Sequence, residues 1–126
     1  GIDASILAPV YSASKNFVIG LGRALGSQVY YDYNKIRIIT LCPGATNTSM
    51  IDNVNLINVI SRDLHPNLLE TAKQFLSNIT SQPISSIGRG VTHIIENGSN
   101  GSVWVVEDDE IYEVEFPDRK SMKKKN

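Results

Sequence analysis

The stretch from Pro9 to Lys15, with the sequence PVYSASK, opens a helix-like segment and decides the fold of this chain. Its Tyr11 and Lys15 stand four positions apart, so on a helix they share one face and lie one turn from each other. A free phenol has a pKa of about 10, and a cation held beside it favours the phenolate. The pair is therefore a candidate proton donor and acceptor for an alcohol or carbonyl oxygen.

The segments that follow set this pair in an α/β arrangement. Apolar periodicity predicts one helix from about Val10 to Tyr31. The run from Ile36 to Cys42 is almost entirely apolar and β-branched, which is typical of a parallel strand covered on both faces. It ends in the turn PGATNT, residues 43–48. A bare Tyr-x-x-x-Lys spacing more often marks a chance surface pair, and this context is what favours a site.

Two helices and two strands are predicted toward the carboxyl end. The helical patterns run from Leu68 to Leu76 and from Ile87 to Ile95, and the polar residues 80–83 separate them. The strands run from Ser102 to Val106 and, with half-exposed alternation, from Ile111 to Phe116.

Three local sequences, in this order of elements, resemble the carboxyl-terminal half of a short-chain dehydrogenase/reductase. They are PVYSASK, LCPGATNT at residues 41–48 and NGSVW at residues 100–104. Within that superfamily these three sequences look most like those of 15-hydroxyprostaglandin dehydrogenase and the insect alcohol dehydrogenases. The resemblance covers about residues 1–106. It implies an α/β fold, the C-terminal half of a Rossmann-type doubly wound parallel sheet with three α/β/α layers.

The resemblance also implies an enzyme that interconverts a secondary alcohol and a ketone with NAD as cofactor, NADP not being excluded. Tyr11 would be the acid and base, and Lys15 would favour its phenolate and bind the cofactor ribose. The implied cofactor contacts are Tyr11, Lys15, Pro43, Gly44, Thr46, Asn47 and Thr48. The alternative for this turn is an ordinary strand-to-helix connection with Thr48 or Ser49 as N-cap.

Substrate contacts are expected at Ala8 and Met50. An apolar substrate lid is expected from Met50, Ile51, Val54, Leu56 and Ile57, and the alternative is that these residues belong to the core. Ala8 stands where the prostaglandin enzyme looks to carry a polar side chain, which argues against a prostaglandin substrate. The 126 residues contain no Gly-x-Gly-x-x-Gly phosphate loop. We therefore expect a C-terminal fragment, inactive alone, with residues 1–117 in the Rossmann domain and residues 118–126 as a basic, flexible tail. The alternative function is that of a non-catalytic insect fat-body-type relative, a binding or storage protein.

Composition excludes several other classes of protein. A net charge of −1 and 41% hydrophobic residues are unlike a nucleic-acid binder or a disordered chain. One cysteine and two histidines exclude a disulfide framework and predict no metal site. No apolar run approaches the roughly 18 residues of a membrane span, so we expect no membrane partner and a cytoplasmic location.

A stripe of small residues lies on the first helix, at Gly20, Gly22, Ala24 and Gly26. Glycine within a helix costs roughly 1 kcal/mol relative to alanine, so several together indicate close packing. The resemblance implies a homodimer through the Tyr11–Lys15 helix. The alternative is close packing of this stripe against the sheet.

Overall fold

The structure is a computed structural model that describes residues 2, 8–49 and 64–124. Five helical segments and three strands lie in these ranges. In chain order they are α1 (Pro9–Leu25), α2 (Gln28–Asn34), β1 (Thr40–Pro43), a 3-10 turn (Pro66–Leu68), α3 (Leu69–Ser77), α4 (Ile84–Asn97), β2 (Val103–Glu107) and β3 (Glu110–Glu113).

The three strands form one sheet in the order β1-β2-β3. β1 and β2 are parallel, with Leu41 opposite Trp104, which is the pairing expected for a sheet with crossover connections. β3 turns back antiparallel along the far side of β2 and places Tyr112 opposite Val105. β2 is therefore the central strand, and four of its five residues are buried.

Helices cover both faces of the sheet. α4 packs on one face, where Ile94, Trp104 and Val106 form the buried core. α1 lies on the opposite face, since a Cβ on Gly22 would come 2.1 Å from Oγ1 of Thr40. This α/β/α layering, with parallel β1 and β2, confirms the predicted fold class.

The single long helix predicted from Val10 to Tyr31 is wrong, because the chain breaks it at Gly26 and Ser27. The carbonyl oxygen of Gly26 accepts a hydrogen bond from Nδ2 of Asn100 at 2.7 Å instead of continuing the helix. A Cβ on Gly26 would lie 2.2 Å from Cα of Gly101, so the two backbones touch. Apolar periodicity continues past this point, which is why the sequence pattern extended the helix.

The predicted strand from Ile36 to Cys42 is also too long, since β1 begins only at Thr40. The amide of Ile38 donates to Oδ1 of Asn100 at 2.9 Å, and the carbonyl of Ile38 accepts from the amide of Gly101 at 2.7 Å. These bonds tie Ile38 to a loop rather than to a strand. This segment is also less buried than the predicted strand, which was expected to be covered on both faces: Ile36 is exposed and β1 is half-buried.

Arg37 fastens the same segment to α4. Its guanidinium donates to the carbonyl oxygens of Ile95 and Gly98, at 2.5 and 2.9 Å, where that helix ends. The last carbonyls of a helix lack partners within it, and a cation there also meets the negative end of the helix dipole.

The remaining elements are confirmed with shifted ends. α3 and β2 differ from their predicted ranges by one residue at each end, whereas α4 starts three residues before Ile87. Pro83 occupies the N-cap position of α4, and proline is tolerated there because no helix bond needs its missing N–H. β3 ends at Glu113, three residues before the predicted Phe116.

A two-residue turn joins β2 to β3. Asp108 and Asp109 both adopt left-handed backbone angles, with φ of 48° and 62°, as tight hairpin turns require. Oδ1 of Asp109 accepts hydrogen bonds from Ser86 and Arg89 at 3.2 and 3.3 Å, so the hairpin is held against the first turns of α4.

After β3 the chain returns toward α1. The guanidinium carbon of Arg23 lies 4.0 Å from the centroid of the Phe116 ring, a stacked cation–π contact. The division at residue 117 and the flexible tail stay predictions. The residues expected to form a lid, Met50, Ile51, Val54, Leu56 and Ile57, lie outside the described residues.

Candidate functional site

α1 presents Tyr11 and Lys15 one turn apart near its amino end. Pro9 occupies the first helical position, where proline is pre-organised for a helix, and the carbonyl of Ala8 accepts the first bond, from the amide of Ser12 at 2.9 Å. Ala8 is thus a backbone acceptor at the helix start, and its methyl side chain has no polar group to offer a substrate.

Tyr11 and Lys15 lie side by side, as their spacing predicts. The Lys15 Nζ atom is 5.3 Å from the centroid of the Tyr11 ring, within the range of a cation–π contact. Both side chains are exposed to solvent, with Tyr11 at 55%. The structure therefore places an ammonium and a phenol next to each other on one face of α1.

Both residues line a cavity of about 170 Å³ between α1 and β1. Its walls are Tyr11, Lys15, Val18, Ile19, Thr40, Leu41, Cys42 and Pro43. The structure therefore brings the pair to the carboxyl end of β1, which is where open α/β sheets bind their ligands.

The turn at residues 43–48 is fixed by hydrogen bonds on both of its sides. The amide of Gly44 donates to the carbonyl of Val106 at 2.9 Å, and Oγ1 of Thr46 donates to the carbonyl of Gly44 at 2.9 Å. Asn47 and Thr48 are exposed, so their side chains are available to a ligand. Of the turn residues, only Pro43 lines the cavity that holds the Tyr11–Lys15 pair.

Glycine at position 44 has a packing reason. A Cβ there would lie 2.6 Å from Cβ of Glu107, so the turn backbone passes directly over the end of β2. Sequence reasoning assigned Gly44 to the cofactor, and the structure adds this close approach. The assignment of the turn residues to a cofactor stays a prediction.

A second cavity, of about 290 Å³, shares Cys42 and Pro43 with the first. It is lined by Ile2, Cys42, Pro43, Val105, Glu107, Tyr112 and Val114. The phenol of Tyr112 donates a hydrogen bond to Oε1 of Glu107 at its edge. Sequence reasoning missed this pair, because Tyr112 and Glu107 meet only through the hairpin turn.

Cys42 lies between the two cavities as a free, half-buried thiol. Burial raises the pKa of Cys42 above the ordinary thiol value, because desolvation disfavours the thiolate. The side chain is therefore a neutral, small apolar wall at physiological pH rather than a nucleophile.

Gln82 is a further residue of this region that the sequence does not single out. It is buried, with 8% of its surface exposed, and it bridges to Thr46 in the turn. The only signal available was its position in the polar break before Pro83. Within the described part of the chain, no three side chains of His, Cys, Asp or Glu are grouped so that they could hold a metal ion.

The donors and acceptors in place fit the ribose and nicotinamide end of a dinucleotide. An ammonium and a phenol face one cavity, and the exposed amide of Asn47 and hydroxyl of Thr48 can bond a carboxamide. Among the described residues, no helix is long and apolar enough to cross a bilayer.

Comparison with known proteins agrees with this arrangement. Residues 1–58 match the family model described as short chain dehydrogenase. The chain is 30% identical over 105 residues to alcohol dehydrogenase 1 of Ceratitis capitata, an alignment covering 83% of this chain and 38% of that protein. It is 29% identical over 110 residues to the alcohol dehydrogenase-related 31 kDa protein of Drosophila melanogaster, covering 85% of this chain and 36% of that one.

These matches support the predicted assignment to the short-chain dehydrogenase/reductase superfamily. The chain spans a little over one third of the length of the curated relatives that it matches. Its relatives include proteins named alcohol dehydrogenase, as the sequence predicts; the finer likeness to 15-hydroxyprostaglandin dehydrogenase stays a prediction.

Proposed function

We propose that this chain is the catalytic part of an NAD-dependent oxidoreductase that interconverts a secondary alcohol and a ketone. The observation that carries the proposal is the cavity at the carboxyl end of β1, into which α1 brings both Tyr11 and Lys15. The match to the short chain dehydrogenase family model and the alcohol dehydrogenase relatives support the reaction class.

Tyr11 would hold and move the proton. As phenolate, its oxygen accepts the hydroxyl proton of the alcohol, and in the reverse direction the phenol returns it to the ketone oxygen. Lys15 lies beside Tyr11, with its Nζ atom 5.3 Å from the ring centroid, and its ammonium can donate to a ribose hydroxyl. The cofactor, when bound, supplies the two-electron acceptor of the alcohol.

The turn would hold the nicotinamide end of that cofactor. The Thr46 hydroxyl already donates to the carbonyl of Gly44. The side chains of Asn47 and Thr48 are exposed and are the proposed contacts. NAD is preferred to NADP on the family resemblance alone.

The second cavity is proposed as the space for the body of the substrate. Its walls are mainly apolar, and it adjoins the first cavity through Cys42 and Pro43. The Glu107 carboxylate repels an anion, so a substrate that carries a carboxylate would be bound without a partner for its charge. The substrate class that fits is an uncharged alcohol of modest size. Replacing Glu107 with glutamine should raise turnover of a carboxylate-bearing alcohol relative to its uncharged analogue of equal length.

A homodimer through α1 is proposed as the assembly. The side of α1 that faces away from the sheet is apolar, and its larger exposed residues are Val10, Phe17, Leu21 and Leu25. A helix apolar on two faces needs cover on both. On the stripe itself, Gly22 and Gly26 pack against β1 and the loop at Gly101, whereas a Cβ on Gly20 would meet no atom within 4 Å.

The test is Tyr11→Phe in the complete native protein, measured for alcohol oxidation and, separately, for NAD binding. We expect turnover to fall by about 10²–10⁴-fold, the usual contribution of a positioned acid or base, with NAD affinity little changed. Tyr33→Phe is the matched control, because Tyr33 is 89% exposed on α2. Undiminished turnover by Tyr11→Phe would overturn the mechanism.

The same measurements address the alternative of a non-catalytic binding or storage protein. NAD binding without turnover of any alcohol by the unchanged protein would favour that alternative. Turnover lost through Tyr11→Phe would exclude it. The cytoplasmic location is proposed from the composition of the chain.

A further inference from the structure

Gln82 lies beneath the turn at residues 43–48, at the carboxyl ends of β1 and β2. Its amide donates to the carbonyl of Ala45 at 2.8 Å, and its carbonyl accepts from the amide of Asn47 at 2.8 Å. Its side chain donates through Nε2 to the carbonyl of Val106 at 2.7 Å. Gln82 is thus bonded to both the turn and the end of the central strand.

The carbonyl of Val106 serves two donors from this region. It accepts from the amide of Gly44 at 2.9 Å as well as from the Gln82 side chain. The residue after Gln82 is Pro83, which disfavours a helical backbone at Gln82 and keeps it extended for the bridge to Thr46. The turn, β2 and the start of α4 therefore meet at this one residue, which bonds the turn through its backbone and β2 through its side chain.

The side chain of Gln82 is costly to bury in this orientation. Its Oε1 atom is buried, and within the described residues it has no hydrogen-bond partner. Rotating the amide would place Oε1 against the carbonyl of Val106, so the direction of the amide is fixed. A leucine or methionine of similar volume would fill the space without an unpaired acceptor, so packing alone does not account for a glutamine here.

We infer that Gln82 is a positioning residue for the proposed cofactor site. Its backbone bonds the turn at Ala45 and Asn47, and its Nε2 atom fastens that backbone to the carbonyl of Val106 at the end of β2, so that Asn47 and Thr48 are held in place for a ligand. The inference rests on the proposed function where it concerns the cofactor. Its structural part, the fixing of the turn, stands independently.

The test compares Gln82→Met with the unchanged protein, using the complete native product. We expect amide hydrogen exchange in residues 43–49 to become about tenfold faster, since one hydrogen bond to the turn support is lost, with residues 103–107 unchanged. The dissociation constant for NAD should rise about tenfold in parallel, whereas the midpoint of thermal unfolding should not fall. Gln74→Met on α3 is the matched control, because Gln74 is exposed.

Each outcome decides the inference. A lower unfolding midpoint with faster exchange throughout the protein would indicate a structural role only and overturn it. Unchanged exchange in residues 43–49 would also overturn it. Faster local exchange with unchanged NAD affinity would refute the link to the cofactor. If the unchanged protein binds neither NAD nor NADP, the proposed function fails, and exchange alone decides whether Gln82 fixes the turn. Gln82→Glu, which keeps the shape but removes the donor, should loosen the turn as Gln82→Met does.

Discussion

Replacing Gly26 with alanine should destabilise the protein by about 3–5 kcal/mol. The added Cβ would lie 2.2 Å from Cα and 2.5 Å from the backbone nitrogen of Gly101, and neither atom can rotate away. Gly101 itself has φ of +82°, a left-handed backbone conformation that glycine adopts readily. Overpacking of this kind costs about 1–3 kcal/mol.

Separation of the two backbones would also weaken the bonds that Asn100 makes. Its Nδ2 donates to the carbonyl of Gly26 and its Oδ1 accepts from the amide of Ile38, at 2.7 and 2.9 Å. Two such bonds contribute about 2 kcal/mol together, and this loss adds to the cost of the overlap.

Urea unfolding followed by circular dichroism measures the effect. Gly88→Ala is the matched control: a Cβ on Gly88 in α4 meets no atom within 4 Å, so this variant should gain up to about 1 kcal/mol from helix propensity. A Gly26→Ala protein within about 1 kcal/mol of the unchanged one would refute the reasoning, because so small a difference is less than the overlap and the lost hydrogen bonds should cost together.

Three further predictions concern a thiol, a helix end and the outer face of α1. Burial raises the pKa of the Cys42 thiol, so the stability that the neutral thiol contributes is fully present below the ordinary thiol pKa and is lost as pH rises through the raised pKa of the folded protein. Cys42→Ala should therefore flatten the fall in stability at alkaline pH. An equally steep fall in the variant would contradict the attribution of that fall to Cys42. Arg37→Met should lower stability by about 1–2 kcal/mol in urea unfolding, because the carbonyls at the end of α4 lose a charged donor; a loss that vanishes at high salt would point to the dipole alone. Phe17→Glu should convert the proposed dimer to a monomer in sedimentation velocity, with Thr71→Glu on α3 as the exposed control; a dimer that survives Phe17→Glu would place the interface elsewhere.

The sequence predicted the Tyr11–Lys15 pair from local spacing, and it predicted the layering through the family resemblance together with the order of helix and strand patterns. Tyr11 and Lys15 share a helix face wherever the helix lies in the fold, because they are four residues apart. The alternation of helix and strand patterns implies parallel pairing of the strands. The boundaries were harder, because tertiary contacts set them. Asn100 ends α1 and delays β1 from more than 60 positions away, and no local pattern encodes that contact.

Gln82 and Glu107 were missed for a related reason. Each is positioned by a hydrogen bond to another element. Gln82 bonds the end of β2, and Glu107 bonds Tyr112 across the hairpin. In the sequence, a polar residue next to a proline predicts a loop. Gln82 differs from its neighbours in being buried, which only the structure shows. Such residues become visible only when the sheet is assembled.

The hairpin from β2 to β3 gives the sheet two unlike borders. Among the described residues, β3 is the last strand on one side of the sheet, and its exposed Glu110 and Glu113 place negative charges that discourage another strand from joining there. On the other side, β1 has no strand partner among those residues beyond β2. A further strand, from this chain or from another, would therefore meet less resistance beside Leu41 and Cys42 than beside β3.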